Sequence, residues 1–327
     1  MFENLNTKTK DEYLENLFND ALKNHRAGDL VKACKSYQKL YKIAPRNSAL
    51  LALYGAAASQ MENNNFALKL LSKAIENQSL TSDTFNNRGV VLKRLGRSEE
   101  ALSDFNQALS IDPNNAFALN NSGQILKERG DLNQALKYFN LAISINDDYA
   151  DAYNNRGKAL FLQGKVEDAL MNYKKAILLK PNDESCYYNL GTTLTKLKHF
   201  VHAIKAFDRA IELKSDYTEA YNNRGLAFFE NQEFDGARLD FDKAILLDSS
   251  YADAFNNRGI VYKELGCFDK SVKDLNTAIS LFESQKLDEA LVDFDKAIRL
   301  DSKYADALNN RGITYRELGR FDEAIKD

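Results

Sequence analysis

Apolar positions along this chain follow a helical spacing, and the stretch that carries them recurs at regular intervals. Phe85 and Leu92 stand seven residues apart, and Tyr153 and Leu160 repeat the same spacing further on. Apolar residues at this spacing form one stripe of an α-helix that faces a core. A short polar turn, often with a glycine, follows each stripe and leads into a second helical stripe. The pattern therefore predicts a series of helix pairs.

A glycine marks the same point in the first helix of successive pairs, usually at the end of the tetrapeptide Asn-Asn-Arg-Gly. Neighbouring glycines are 34 residues apart, except that the last follows after 53 residues. They are Gly89, Gly123, Gly157, Gly191, Gly225, Gly259 and Gly312. A fixed period of this length is typical of a solenoid of stacked helix pairs. Below, each repeat is numbered so that this glycine is position 8, and the first repeat starts at Leu14.

Four further positions recur with the glycine. Positions 20 and 27 are mostly alanine, as in Ala101 and Ala108, position 24 is aromatic or leucine, and position 32 is proline in some repeats. Together with glycine at position 8, this pattern resembles the tetratricopeptide repeat family over residues 14–327. The resemblance implies an all-α, right-handed superhelical solenoid of antiparallel helix pairs. It also implies that the first helix of each repeat lines a concave groove.

The 53-residue gap equals two periods less 15 residues, and the register places the loss. Residues 281–285 align with residues 228–232 of an earlier repeat. The sequence thus predicts an N-terminal extension (1–13), eight repeats (14–281), a truncated ninth repeat without most of its first helix (282–304) and an incomplete tenth (305–327). It predicts one fused helix from about 268 to 285, a turn, and a helix over 287–300. A functional hinge and a scar of recombination between similar repeats both remain open.

An asparagine at position 6 recurs from the third repeat onward, and the family resemblance places this position in the groove. The asparagines are Asn87, Asn121, Asn155, Asn189, Asn223, Asn257 and Asn310. A side-chain amide both donates and accepts hydrogen bonds, so an evenly spaced row can pair with the backbone of an extended peptide. A similar row occurs in the repeats of protein O-GlcNAc transferases. The alternative is that these asparagines bond to neighbouring helices and set the repeat geometry.

The arginine at position 7 is accompanied by a carboxylate at position 23 of the same repeat. The pairs are Arg88 with Asp104, Arg224 with Asp240, Arg258 with Asp274, and Arg311 with Asp327. Repeats without the arginine, at Ser122 and Leu190, also lack the carboxylate. This co-occurrence predicts an ion pair between the two helices of a repeat, rather than arginines that line a basic groove.

Groove positions 2, 5 and 6 carry no lysine or arginine in repeats three to eight or ten, which argues against capture of a C-terminal carboxylate by a basic clamp. Position 2 is mostly acidic, as in Asp83 and Asp253. Position 12 reads Lys93, Lys127, Phe161, Thr195, Phe229 and Lys263. If position 12 reaches the groove, it favours a ligand with an apolar centre.

The composition excludes several classes of function. The 327 residues include 44 Lys and Arg and 47 Asp and Glu, a net charge of −3, so no nucleic acid partner is expected. No apolar run of about 18 residues predicts a membrane span. Three widely spaced cysteines favour a reducing compartment, the cytoplasm. No catalytic constellation, metal site or cofactor motif is present, so we expect neither an enzyme nor a bound cofactor.

These observations lead to three functional hypotheses. The first is a non-enzymatic scaffold that binds an extended peptide or a partner helix in its groove. The second is the substrate-recruiting arm of a larger glycosyltransferase-type enzyme whose catalytic domain is absent from this chain. The third is self-association through the incomplete C-terminal repeat, in which the first helix with Leu308 and Ile313 would be half covered.

Overall fold

The structure is a computed structural model that describes residues 7–300 and 305–326. Every regular element in those ranges is an α-helix, as the sequence predicts. None of these helices is both long and apolar enough to cross a membrane. The chain divides into two compact blocks, an N-terminal block (Met1–Leu179) and a C-terminal block (Lys180–Asp327).

The N-terminal block consists of five consecutive helix pairs, one for each of repeats one to five. The first helix of a repeat is called helix A and the second helix B. The helices are α1 (Thr7–Arg26), α2 (Leu30–Ile43), α3 (Ser48–Gln60), α4 (Asn64–Glu76), α5 (Ser82–Arg94), α6 (Ser98–Ile111), α7 (Ala116–Glu128), α8 (Leu132–Ile145), α9 (Ala150–Leu162) and α10 (Val166–Leu179).

The C-terminal block continues the alternation as far as its sixth helix. Its helices are α11 (Glu184–Lys196), α12 (Phe200–Leu213), α13 (Thr218–Glu230), α14 (Phe234–Leu247), α15 (Ala252–Glu264), α16 (Phe268–Leu300), α17 (Ala305–Glu317) and α18 (Phe321–Ala324).

Helix α1 begins earlier than the repeat register suggests. The sequence predicts an extension over 1–13, but residues 7–13 belong to α1. No glycine or proline interrupts the chain before Ala27, so nothing in the sequence forces a later start. Residues 1–6 lie outside the described residues.

The core of each repeat is the contact between the glycine of helix A and the large side chain of helix B. Phe139 is fully buried, and a Cβ built on Gly123 would lie 2.6 Å from its Cε1 atom. Ala135 and Ala142, on the same helix B, are also fully buried. Small residues at positions 8, 20 and 27 therefore let the two helices approach closely, with one ring filling the space between them.

The turn between helix A and helix B contains one residue in the left-handed backbone region. Glycine takes this role where the sequence places it, for example Gly130 with φ +84°. Repeats without that glycine use other residues in the same conformation, among them Lys198 (φ 61°) and Gln232 (φ 62°). The turn thus forms even where the residue pays a steric penalty.

Helix α16 corrects one sequence prediction. The fused helix is present, but the predicted turn near residue 286 is absent, and α16 runs unbroken from Phe268 to Leu300. The predicted boundary at residue 304 lies outside the described residues.

The local sequence does not explain why this turn is lost. Gln285 aligns with Gln232, and the residues around both are similar, yet only Gln232 leaves the helix. A left-handed non-glycine residue costs about 1–2 kcal/mol. In repeat seven this cost is offset because α14 packs back on α13. The ninth repeat has almost no helix A for helix B to pack on, so continuing the helix is the cheaper solution.

Candidate peptide-binding face

The predicted arginine–aspartate pairs are present and bidentate. Arg88 Nε and Nη2 each donate to Asp104 at 2.7 Å, and Arg224 bonds Asp240 through the same two nitrogens. Arg258 binds Asp274 at 2.7 and 2.9 Å. The three aspartates are buried. The prediction is confirmed for these repeats, while the partner predicted for Arg311, Asp327, lies outside the described residues.

A second partner of the arginine lies on helix B of the preceding repeat, at position 25. Arg224 Nη1 donates to Asp208, and Arg258 Nη1 donates to Asp242, both at 2.6 Å. Arg156 makes the equivalent bond to Asn140 at 2.8 Å. Each partner precedes its arginine by 16 residues, as the position 23 partner follows it by 16. The repeats held this second offset too, but it could be recognised only once the stacking was known.

The charge of the two partners decides the electrostatics of each arginine. Hydrogen bonds to Asp274, aided by Asp242, raise the pKa of Arg258 above its usual value. Arg156 bonds to Asn172 and Asn140, which are neutral, and burial lowers its pKa. The arginines are therefore part of the packing between helices and do not form a basic groove.

The asparagines at position 6 bond along the row of first helices. Asn121 Nδ2 donates to Asn86 Oδ1 at 2.9 Å, and Asn155 Nδ2 donates to Asn120 Oδ1 at 3.0 Å. In the C-terminal block, Asn257 Nδ2 bonds to Asn222 Oδ1 at 3.0 Å. The acceptor is always position 5 of the preceding repeat, and we call this series the asparagine ladder.

The acceptor can also be a hydroxyl, because Asn223 Nδ2 donates to Tyr188 Oη at 2.9 Å. The start of the ladder differs, since position 5 of the repeat before Asn87 is Ala52, which has no acceptor. Asn87 is half-buried and makes no side-chain hydrogen bond to any residue that the structure describes. Asn189 is half-buried and Asn310 is exposed.

The ladder uses the amide nitrogens and leaves some of the amide oxygens. The Oδ1 atoms of Asn121 and Asn155 accept no hydrogen bond from the described residues, and neither atom is sealed from solvent. Asn87 keeps both its donor and its acceptor. The structure thus realises the geometric role of these asparagines, while the peptide-binding role of the row stays a prediction.

The ladder predicts a difference between two otherwise similar substitutions. Asn121→Ala leaves Asn86 Oδ1, at a residue only 8 % exposed, without its donor. We expect this variant to lose about 1–3 kcal/mol of unfolding free energy. Asn87→Ala breaks no hydrogen bond and should change stability by less than about 0.5 kcal/mol. Urea denaturation of both variants checks this, and equal losses would show that the ladder contributes nothing.

Three lysines gather on the helix A face of repeats three to five. Lys93 Nζ donates to Gln124 Oε1 at 2.6 Å and lies 3.1 Å from Glu128. Burial lowers the pKa of Lys127, and the positive charges of Lys158 and Lys93 lower it further. We call Lys93, Lys127 and Lys158 the lysine cluster. Its central charge is held in a place where an anion would stabilise it.

Sequence reasoning found two members of the lysine cluster at position 12 but missed Lys158, which is at position 9 of its repeat. Positions 9 and 12 lie three residues apart on one helix face, so the stacked helices bring them together. A count of positive residues over both positions would have found the cluster. The predicted asparagines fall into two groups, with Asn87, Asn121 and Asn155 on successive helices A of the N-terminal block.

The face shows no metal centre within residues 7–300 and 305–326, because nowhere there do three His, Cys, Asp or Glu side chains gather suitably. His199 and His202, considered from the sequence as a solvated pair, have ring centroids 6.5 Å apart and are both exposed.

Comparison with protein families agrees with this architecture. Models of the tetratricopeptide repeat match residues 82–115, 185–217, 105–137 and 252–285, and a further TPR repeat model matches 123–164, 157–198, 225–266 and 278–319. The fold and the repeats define a protein-interaction scaffold. The chain belongs to the tetratricopeptide repeat family.

Solved structures share the fold. Cut9, in the APC/C hetero-tetramer Cut9-Hcn1, matches with a TM-score of 0.64 at 17% identity, over 77% of this chain and 50% of that one. PilF of Pseudomonas aeruginosa matches with a TM-score of 0.57 at 20% identity, over 63% and 94%. YrrB, described as a TPR protein with an unusual peptide-binding site, is 26% identical over 54% and 91%, with a TM-score of 0.48.

Proposed function

We propose that this chain is a non-enzymatic scaffold that binds an extended, acidic peptide across α5, α7 and α9 of its N-terminal block. The observation that carries the proposal is the lysine cluster beside asparagines whose amide oxygens are unpaired. Asn87, Asn121 and Asn155 supply contacts to the peptide backbone, and Lys127 supplies the charge that selects the ligand.

The backbone contacts follow from the way the asparagine ladder orients its members. The bond from Asn121 Nδ2 to Asn86 fixes the side-chain amide, so its Oδ1 is held in place before a ligand arrives. A fixed acceptor loses little entropy when it binds a peptide N–H group. Successive repeats present such acceptors in a row, which suits an extended chain better than a helix, because a helix uses its own N–H groups.

The charge selection follows from the lysine cluster. Lys127 is the most desolvated member and has two like charges near it, and only the carboxylate of Glu128 opposes them. A carboxylate from a ligand would relieve this repulsion in a partly buried place, where charge pairs are weakly screened. A ligand carboxylate is therefore favoured over a neutral side chain at this point of the face.

A pair of probe peptides tests the proposal. One is fluorescein-labelled Gly-Ser-Ala-Asp-Ala-Glu-Ala-Ser-Gly, whose two carboxylates project from the same side of an extended chain. The other replaces them with Asn and Gln. At low salt we expect the acidic peptide to bind about tenfold more tightly, a difference of about 1.4 kcal/mol. Lys127→Gln should remove most of this preference, as measured by fluorescence polarisation of both peptides.

The matched control is Lys263→Gln, since Lys263 occupies the same repeat position in the C-terminal block. It should leave the preference unchanged. Asn87→Ala should weaken both peptides equally, by about 0.5–1.5 kcal/mol, because a backbone contact is independent of ligand charge. Equal binding of the two peptides to the unaltered chain, or an equal loss in Lys127→Gln and Lys263→Gln, would refute the proposal.

A further inference from the structure

Helix α16 exposes three large apolar side chains along one face. Phe268, Val272 and Ile279 are 64 %, 58 % and 55 % exposed, and they occupy positions 17, 21 and 28 of repeat eight. Their spacing of four and seven residues places them on a single stripe of the helix. We call these three residues the α16 stripe.

The same positions are covered in other repeats. None of the equivalent side chains in repeats four and six is exposed, and these are Leu132, Leu136, Ile143, Phe200, Ile204 and Ile211. In each of these repeats the following helix A packs over helix B. The deletion in the ninth repeat has removed the helix A that would follow repeat eight, so the α16 stripe is left without its cover in the described part of the chain.

Repeats four and five show what the missing cover looks like. Leu136 of α8 shares an apolar cluster with Ala159 of α9, and Ile143 shares one with Ala152. Between these contacts, Arg156 of α9 donates to Asn140 at 2.8 Å. The covering helix therefore presents a small or apolar residue, an arginine four residues later and another apolar residue three beyond that. This arrangement recurs in α13 and α15.

The α16 stripe keeps the polar partner that such an arginine requires. Position 25 of repeat eight is Asn276, the same residue type as Asn140, and it is exposed. Helix α17 does not fill this place, because its Arg311 bonds to Asp295 further along α16, at 2.6 Å. The receiving surface is thus complete, with apolar contacts on both sides of a hydrogen-bond acceptor.

A cleft lies where the docked helix would begin. Phe282, Tyr251 and Asp253 line a cavity of about 400 Å³ at the C-terminal end of the stripe, together with Asp288. In repeats four and five the first residues of helix A lie at the corresponding end of helix B. The carboxylates of Asp253 and Asp288 complement the positive end of a helix dipole placed there.

We infer that the α16 stripe binds an amphipathic α-helix of a partner protein, one that carries the Ala-x-x-x-Arg-x-x-apolar face of a helix A. The arginine of that helix bonds to Asn276, and its two small apolar residues pack on Val272 and Ile279. This site is separate from the acidic-peptide face of the N-terminal block, and neither proposal depends on the other.

A second copy of this chain is a poor occupant. Helix α1 is the helix A with no repeat before it, and it presents Asn16, Asp20 and Lys23 at positions 3, 7 and 10, which are polar and exposed. Helix α11 has Leu190 in place of the arginine. Helix α17 already uses this face on α16. A helix with the required face must therefore come from another protein.

The probe is a fluorescein-labelled peptide of residues 148–164, which contains the pattern of Ala152, Arg156 and Ala159. Short helices are marginal in water, so a lactam joins Asn154→Glu to Lys158 on the opposite face of the peptide. We expect saturable binding to the full chain, weakened at least about tenfold by Val272→Glu. The matched control is Val292→Glu, which changes a valine 54 % exposed on another face of α16 and should leave binding unchanged.

Two further variants test the register. Asn276→Asp should tighten binding about two- to fivefold, because a carboxylate accepts from arginine as Asp208 and Asp242 do. The peptide variant Arg156→Leu should lose this gain. Absence of saturable binding at about millimolar peptide, or equal weakening by Val272→Glu and Val292→Glu, would overturn the inference. So would light scattering that shows a dimer of the full chain abolished by Val272→Glu, since a second copy would then be the cover.

Discussion

Replacing Arg258 by leucine is expected to lower the free energy of unfolding of the C-terminal block by about 3–5 kcal/mol. Asp274 is only 5 % exposed, and Arg258 supplies both of its charge-assisted hydrogen bonds, at 2.7 and 2.9 Å. Without the arginine, a carboxylate is left in a buried place with no opposite charge. Urea denaturation gives the total loss, and hydrogen exchange of α15 and α16 amides locates it.

Arg156→Leu is the matched control for this prediction. Arg156 occupies the same repeat position, but its partners Asn172 and Asn140 are neutral. The loss should be about 1–3 kcal/mol, the cost of leaving a buried amide without its partner. If the two leucine variants lose the same stability, the buried charge is not the source of the effect.

Gly123→Val is expected to destabilise the N-terminal block by about 1–3 kcal/mol, because it overfills the contact between α7 and α8. A Cβ at this position would lie 2.6 Å from the ring of Phe139, which is fully buried and has no space to move into. Chemical denaturation measures the loss, and the near-ultraviolet circular dichroism reports on the altered packing.

A double-mutant cycle with Phe139→Leu identifies the cause. In repeat eight the chain itself places Leu275 opposite Gly259, where a Cβ would lie 3.0 Å from the leucine side chain. Gly123→Val should therefore cost less in the Phe139→Leu background, with a coupling of about 0.5–3 kcal/mol. An identical cost in both backgrounds would mean that the ring is not what excludes a side chain at Gly123.

The sequence predicted the helix pairs and the bond between Arg258 and Asp274 because the repeats serve as an internal alignment. Each repeat is a separate trial of the same packing problem, so residues that depend on one another change together. The loss of both partners in the repeats of Ser122 and Leu190 carried the information. This reasoning works for contacts within one repeat, since the offset between partners is then constant.

Contacts between repeats were harder to foresee. The bond from Asn155 to Asn120 joins residues 35 apart, and the asparagine row gave no sign of whether its amides faced a ligand or each other. Both arrangements need the same residue at the same interval. Only the distance between stacked first helices, which is set by the packing of their cores, decides that the amide nitrogen is used within the protein.

The sequence by itself determined the fold class, the period, the place of the deletion and the pairing inside each repeat. These follow from local periodicity and from residues that recur at fixed offsets. The tertiary structure alone decided that α16 continues through Gln285, that Lys158 joins the lysine cluster and that the α16 stripe is uncovered. Each of these depends on which helix is available to pack against which, and that is a property of the stack and not of any segment within it.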